Sequence, residues 1–261
     1  MGVKYGNNGI VTEELVFYVD AGNRSSYPGS GTTWADISGN DDDPTTQNNN
    51  TFPTFNSDGY FAYDKTSLTA IKLSQETTGT FFKRTLSVWF KTPSSFDSKS
   101  RGIFCMGGSA SNMVIYINDN DLYMGTKASG PGGATTTIVT NTWYNATMVL
   151  DAADSTTNQN DTLKLYVNGS SIGTASCAKL TVSQPLCLGG GPNSDINGSN
   201  KLYGYDVHGE DLVESDDNSG TPSGLDSAYD GAISIAMVYD KALSATEVTQ
   251  NYNVLRGRFG L

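Results

Sequence analysis

The chain's architecture is written most plainly in Tyr229-Asp230-Gly231-Ala232-Ile233-Ser234-Ile235-Ala236-Met237-Val238-Tyr239-Asp240-Lys241-Ala242-Leu243-Ser244. Ile233, Ile235, Met237 and Tyr239 recur at every second position, with Ser234, Ala236 and Val238 between them. That alternation predicts a strand whose Ile/Met/Tyr side faces the interior of a sheet sandwich. Asp240-Lys241-Ala242 turns the chain out. Ser244 stands three residues before Glu247, the spacing of a capping box, which predicts a helix from Ala245 to Leu255. Val248, Tyr252 and Leu255 give that helix one apolar side, and Gly257 is expected to stop it.

Working upstream, short apolar segments recur between turn residues. Leu15 to Val19 is the first confident strand, and Leu86-Ser87-Val88-Trp89-Phe90-Lys91 alternates cleanly. Ile103 to Met106, Met113 to Ile117, Leu122 to Met124 and Thr135 to Val139 read as a meander, followed by a strand from Trp143 to Leu150. Leu163 to Val167 ends in Asn168-Gly169, a dipeptide suited to the positive backbone angles of a type I′ hairpin turn. No long amphipathic pattern precedes residue 244. A chain of 261 residues built this way is expected to be all-β with one sizeable core.

Charge narrows the partners. Sixteen Lys plus Arg against 27 Asp plus Glu leave a net charge of −11, which argues against nucleic acid and against an anionic membrane surface. No stretch approaches the roughly 18 apolar residues of a membrane span. No apolar run follows Lys4 as in a signal peptide, so the expected site of synthesis is a cytosol, unless a leader has been cut away. Cys105, Cys177 and Cys187 lack C-x-x-C spacing, which disfavours a metal cluster. Cys177 and Cys187 flank a short linker and could lie on neighbouring strands, although buried free thiols are the expected state.

The final strand and helix resemble the concanavalin A-like superfamily, in particular its laminin G-like jelly rolls, through Tyr229-x-Gly231-x-Ile233, Tyr239-Asp240-Lys241-Ala242-Leu243-Ser244 and Glu247-Val248. Further matches follow in order: Gly59-Tyr60-Phe61-Ala62-Tyr63-Asp64, Leu86 to Lys91, Trp143 to Leu150, Leu163 to Gly169, and Leu186-Cys187-Leu188-Gly189-Gly190. Lys65 stands where the family carries glycine. The resemblance implies a concanavalin A-like jelly-roll sandwich of two antiparallel sheets with a short C-terminal helix, and it places Trp89 inside the sandwich as a packing residue. The expected organisation is an N-terminal arm over residues 1–13 and one domain over 14–261, with an acidic insertion at 192–228.

Asp20 to Asn40 resembles an opening found in virally encoded jelly rolls, many from bacteriophages. It reads as a wrapped loop in which Tyr27 and Trp34 pack on the sandwich while Asp20 and Asp36 hold turns. The implied function is a non-catalytic bacteriophage virion structural protein: capsid decoration, head fibre or tail component. Its partners would be other virion proteins and host cell-surface glycans, in the manner of a homotrimer, with assembly in the host cytoplasm. The alternatives are a soluble lectin-like carbohydrate-binding module and, behind it, a glycoside hydrolase. Hydrolysis needs a carboxylate pair, and the nearest run, Glu214-Ser215-Asp216-Asp217, lies in the insertion without a strand pattern. His208, the sole histidine, lies there too.

Calcium is the cofactor the resemblance implies, held by strand-end carboxylates. Asp64, Asp151 and Asp230 are the chosen ligands, with Asp119, Asp121 and Asp154 as further candidates, and turn-holding is their alternative role.

Overall fold

In the computed structural model, which describes residues 9–46, 51–67, 69–72, 79–108, 111–126, 132–152, 159–182, 186–190 and 228–261, every expected strand segment within those ranges lies wholly or partly in a β-strand. In chain order the strands are β1 (Leu15–Asp20), β2 (Thr54–Asn56), β3 (Tyr60–Tyr63), β4 (Ile71–Lys72), β5 (Gly79–Phe81), β6 (Lys83–Lys91), β7 (Ser100–Gly108), β8 (Ser111–Asn118), β9 (Asp121–Thr126), β10 (Gly132–Thr137), β11 (Trp143–Asp151), β12 (Gln159–Val167), β13 (Ser170–Cys177), β14 (Leu180–Val182), β15 (Cys187–Leu188) and β16 (Gly231–Tyr239). Helix α1 (Ala245–Leu255) closes the series. One sheet has the order β13-β12-β11-β6-β16-β3-β2 with β1 also on β16, the other β10-β9-β8-β7-β15-β4, and β14 pairs β5 apart from both. Among the described residues the pairings between these strands are antiparallel.

Leu86, Val88 and Phe90 of β6 with Met148 and Leu150 of β11 share one buried cluster with Phe104, Met106, Met113, Ile115 and Met124 of the other sheet. This is the two-layer sandwich that alternating strands demand, since each sheet buries one apolar face against the other. The opening loop behaves as read: Trp34 is fully buried and Tyr27 nearly so. Asp20 Oδ1 accepts from Gly22 N at 2.8 Å, and Asp36 Oδ1 accepts from Tyr18 N and Ser38 N. Asn168 and Gly169 take φ of 51° and 72°, the left-handed pair a type I′ turn requires.

Four details depart from the sequence reading. First, β16 pairs Ile233 with Phe90 but Ile235 with Trp89, so Ser234 is an extra residue, a β-bulge. A one-residue slip reverses the faces. Ile233 therefore joins Ala236 and Val238 in the inter-sheet core, while Ile235, Met237 and Tyr239 lie on the outer face. The bulge is held from outside the β6 ladder: Ser234 O accepts from Ala21 N at 2.9 Å, and Ser234 Oγ donates to Gly59 O at 2.6 Å.

Second, Trp89 is buried, but on that outer face under α1 rather than between the sheets. Third, α1 has the expected capping box, Ser244 Oγ accepting from Glu247 N and Glu247 Oε2 from Ser244 N. Gly257, however, does not end the helical path. The chain continues as a 3-10 turn over Arg256–Phe259 and stops at Gly260, whose φ is 75°. Stacking of Phe259 on Trp89, centroids 4.2 Å apart, carries the turn past Gly257. Fourth, Cys187 lies directly opposite Cys105, not beside Cys177, which pairs with Gln159. All three thiols are free and buried.

Within the expected arm, residues 9–13 are fastened to the C-terminal segment. Val11 N donates to Asn251 Oδ1 at 2.8 Å, Gln250 Nε2 donates to Gly9 O at 2.8 Å, and Lys241 pairs with Glu13 at 2.6 Å. The acidic insertion, His208 included, lies outside the described residues, apart from Ala228 at its end.

Candidate functional site

On the outer face of the eight-stranded sheet the ladder aligns Trp143 of β11, Lys91 of β6, Ala232 of β16 and Ala62 of β3 in one row. Directly opposed residues share a face, and so do residues two apart, so Tyr60 and Trp89 stand on the same side. The two small alanines leave room above them. Tyr60 and Trp143 reach across that gap and meet edge to face, with centroids 5.6 Å apart. Phe259 comes down from the C-terminal turn, stacked on Trp89 and tilted against Trp143 at 4.7 Å. The result is a cleft of about 430 Å³ lined by Asp58, Tyr60, Lys91, Trp143, Arg258 and Phe259.

Arg258 fixes its geometry. Its guanidinium donates to Asp20 Oδ1 at 2.5 Å, to Gly59 O at 2.6 Å and to the bulge residue's Ser234 Oγ at 2.8 Å. Three segments are thus clipped to the C-terminal turn. Gly59 is required there, because it holds φ of 84° and a Cβ would lie 2.8 Å from Gly22 Cα. Tyr229 anchors the end of β6 by donating to Lys91 O at 2.6 Å, and burial holds its phenol well above the ordinary tyrosine range. Lys91 forms no ion pair among the described residues. The cleft combines aromatic faces with charged rims, a lining that suits a ligand with both apolar CH faces and polar or anionic groups.

The expected metal ligands do not share a site. Asp230 precedes Gly231 and Asp64 follows Tyr63, its partner across the ladder, so the two lie at one end of the sheet. Asp151 is opposite Lys83, at the far end of the nine-residue β6, about 26 Å away along the strand. Asp64 Oδ1 accepts from Thr66 N at 2.8 Å and Thr66 Oγ1 at 2.7 Å, the turn-holding arrangement of an aspartate. Asp151 lies 3.7 Å from Lys164.

Asp230 does enter a charged group, with Lys65, Asp97 and Arg101, beside Asp119. Lys65 Nζ stands 3.1 Å from both Asp97 and Asp230, and Arg101 closes on Asp97 at 2.5 Å. Burial works to lower the Lys65 ammonium, but its hydrogen bonds to Asp97 and Asp230 outweigh this and raise it above the ordinary lysine value. Burial likewise works to raise Asp97, and the bonds from Arg101 and Lys65 outweigh it and hold the carboxyl low. A lysine already occupies the position a bound cation would take, so these residues do not fit calcium. Among the described residues no three His, Cys, Asp or Glu are placed to hold a metal ion. Asp121 instead accepts from Thr137 Oγ1 across the β9–β10 pair, and Asp154 lies outside the described residues.

Arg258, Lys65 and Asp97 were not legible as site residues, since periodicity carries no information on which distant loops a side chain ties together. Trp143 was visible only as the start of a strand.

Residues 58–205 match the laminin G-like family model described as the concanavalin A-like lectin/glucanases superfamily. The chain belongs to that family. No curated protein matches it at a significant level. Among solved structures, the laminin G-like chain is similar to the receptor-binding domain of botulinum neurotoxin C/D mosaic serotype, with TM-score 0.59, 10% identity, and 93% of this chain against 52% of that one. The botulinum neurotoxin serotype D binding domain in complex with N-acetylneuraminic acid gives 0.57 and 11%, over 93% and 51%. Trypanosoma rangeli sialidase gives 0.58 and 11%, over 94% of this chain and 33% of that one. The domain thus spans about half the length of the toxin chains and a third of the sialidase, and at these identities the likeness is one of fold.

Proposed function

We propose that this laminin G-like chain is a non-catalytic glycan-recognition domain of a bacteriophage virion protein, and that it reads carboxylated cell-surface sugars in the Tyr60–Trp143–Phe259 cleft. The observation that carries the reading is local charge against global charge. In a chain of net charge −11, this cleft walled by aromatic rings presents Lys91, which has no ion-pair partner among the described residues, against one unpaired acid, Asp58, while Arg258 is balanced by Asp20. A sugar acid would set its CH face on Trp143 and its carboxylate toward Lys91, with Arg258, committed to Asp20, holding the wall in place. The sialic acid complex of one structural neighbour supports the ligand class. Glycoside hydrolysis uses two carboxylates about 5–9 Å apart, and the single acid of this lining supports a binding role. The Asp20 to Asn40 opening supports the virion setting, where repeated copies would convert weak single sites into avidity.

The deciding experiment is a glycan array with purified protein, run in calcium and in chelator, with Lys91→Ala alongside. Selective binding to sialylated or uronic-acid glycans that Lys91→Ala abolishes is the expected result, and the chelator arm reads any calcium requirement. Binding to neutral glycans alone, or none at all, would overturn the ligand class. Attachment of the protein to virion particles assembled without it tests the setting.

A further inference from the structure

Cys105 and Cys187 meet where no sequence spacing would bring them together. They are 82 positions apart, yet they face one another on adjacent antiparallel strands, with Leu188 opposite Phe104 as the next pair. Gly189 N donates to Ile103 O, so residues 189 and 103 form a hydrogen-bonded pair, and alternation along the ladder makes 187 and 105 one as well. The Cα separation of such a pair is about 5.5 Å. Disulfides span Cα separations of about 4.4–6.8 Å. Directly opposed side chains share a face, and here it is the outer face of the six-stranded sheet, where Cys105 clusters with Val114 and Tyr116. Cys177, the remaining thiol, lies on another strand of the other sheet, with its Sγ toward Thr126 and the Ala178 carbonyl.

We propose that Cys105 and Cys187 are a paired dithiol that closes into a reversible cross-strand disulfide when the chain meets a small-molecule disulfide. In the step, the thiolate of one cysteine attacks oxidised glutathione and forms a mixed disulfide, releasing one glutathione thiolate. The second protein thiolate then attacks the protein sulfur and releases the other. The protein dithiol is oxidised to a disulfide, two glutathiones are produced, and the two protein thiol protons end on them.

Access is slow from the closed state. Cys105 and Cys187 are buried to within 1%. Burial, reinforced for Cys105 by its neighbour, pushes both thiols up, Cys187 to about 12, so little thiolate exists at neutral pH. Exchange therefore proceeds through opening of β15, which is only two residues long and held by few ladder bonds. The redox state of the pair is set by the medium in which the chain folds or opens.

The test is to refold the full chain from denaturant in a mixture of reduced and oxidised glutathione. A native sample is held in the same buffer, both are alkylated under denaturing conditions, and the peptides are mapped. The expected result is a Cys105–Cys187 linked peptide with Cys177 alkylated, formed faster on refolding than in the native sample and removed by dithiothreitol. The linked form should melt about 10 °C higher, because the bridge closes a long loop of the unfolded chain. Cys177→Ser should keep the linkage, and Cys105→Val, which preserves an apolar side chain in the pocket, should lose it. Three alkylated thiols after both treatments, or linkage to Cys177 as often as to Cys105, would overturn the proposal.

Discussion

Two aromatic groups in this molecule use the same residue types to opposite ends. In the inter-sheet core, Phe61 is a hub touched by Trp34, Tyr27, Phe52 and Phe55, with centroids 4.6–5.6 Å away. Phe61, Trp34 and Tyr27 are sealed between the layers, and the Tyr27 hydroxyl is spent on the Gly31 carbonyl at 2.8 Å. On the outer face, Trp89, Tyr252, Phe259, Trp143 and Tyr60 form a chain of rings that begins fully buried under α1 and ends part-exposed beside Lys91 and Asp58. The first group has a sealed centre with Phe52 and Phe55 half-buried at its margin, so it contributes stability. The second runs out from under its cover, and where the cover ends the rings meet charge and solvent. Aromatic content alone therefore does not separate the two groups; what separates them is that the second has a covering element that stops short of the row's end.

The comparison can be broken at several points, beginning with the largest expected change. Phe61→Ala should lower the unfolding free energy by about 3–5 kcal/mol, read as a lower urea midpoint, because it opens a cavity at the hub. A loss under 1 kcal/mol would mean the two groups do not differ as described. Arg258→Ala should cost about 2 kcal/mol through three lost charge-assisted bonds and should also disturb the cleft. Lysine should restore little of either, since one ammonium cannot reproduce the forked geometry.

Trp143→Ala is the converse of the Phe61 substitution. Stability should fall by less than about 1 kcal/mol, while affinity for the glycan found on the array should drop about tenfold or more, measured by titration calorimetry. Equal damage to stability and binding would return Trp143 to the packing class.

The smallest effect concerns the sheet end at Asp97. Its carboxyl titrates low in the folded chain, so its contribution is present above the ordinary carboxylate pKa. That contribution is lost as pH falls through the folded value. Asp97→Asn should flatten the fall of melting temperature on acidification below the ordinary carboxylate pKa. An unchanged pH profile would show that the Lys65–Asp97–Arg101 group makes no net contribution.

What the sequence by itself determined was local. Period-two alternation placed the strands, Asn168-Gly169 placed a hairpin, and Ser244 with Glu247 placed the start of α1, because each depends on residues within a few positions of one another. The motif order was enough for the family and the two-layer sandwich. What only the tertiary structure decided was which face each strand presents and what gathers there. The Ser234 bulge sends Ile235, Met237 and Tyr239 to the outer face, and it is held by a bond accepted from Ala21 and one donated to Gly59, both far away in the chain. Phe259 reaches Trp89 and Trp143 through a turn that passes the glycine expected to stop it. Lys65 pairs with Asp230, one of the strand-end acids suggested for a metal, and with Asp97, which the sequence reading does not single out. Each of these is settled by long-range pairing, where one residue of register reverses a face and one distant cation changes the role of a carboxylate.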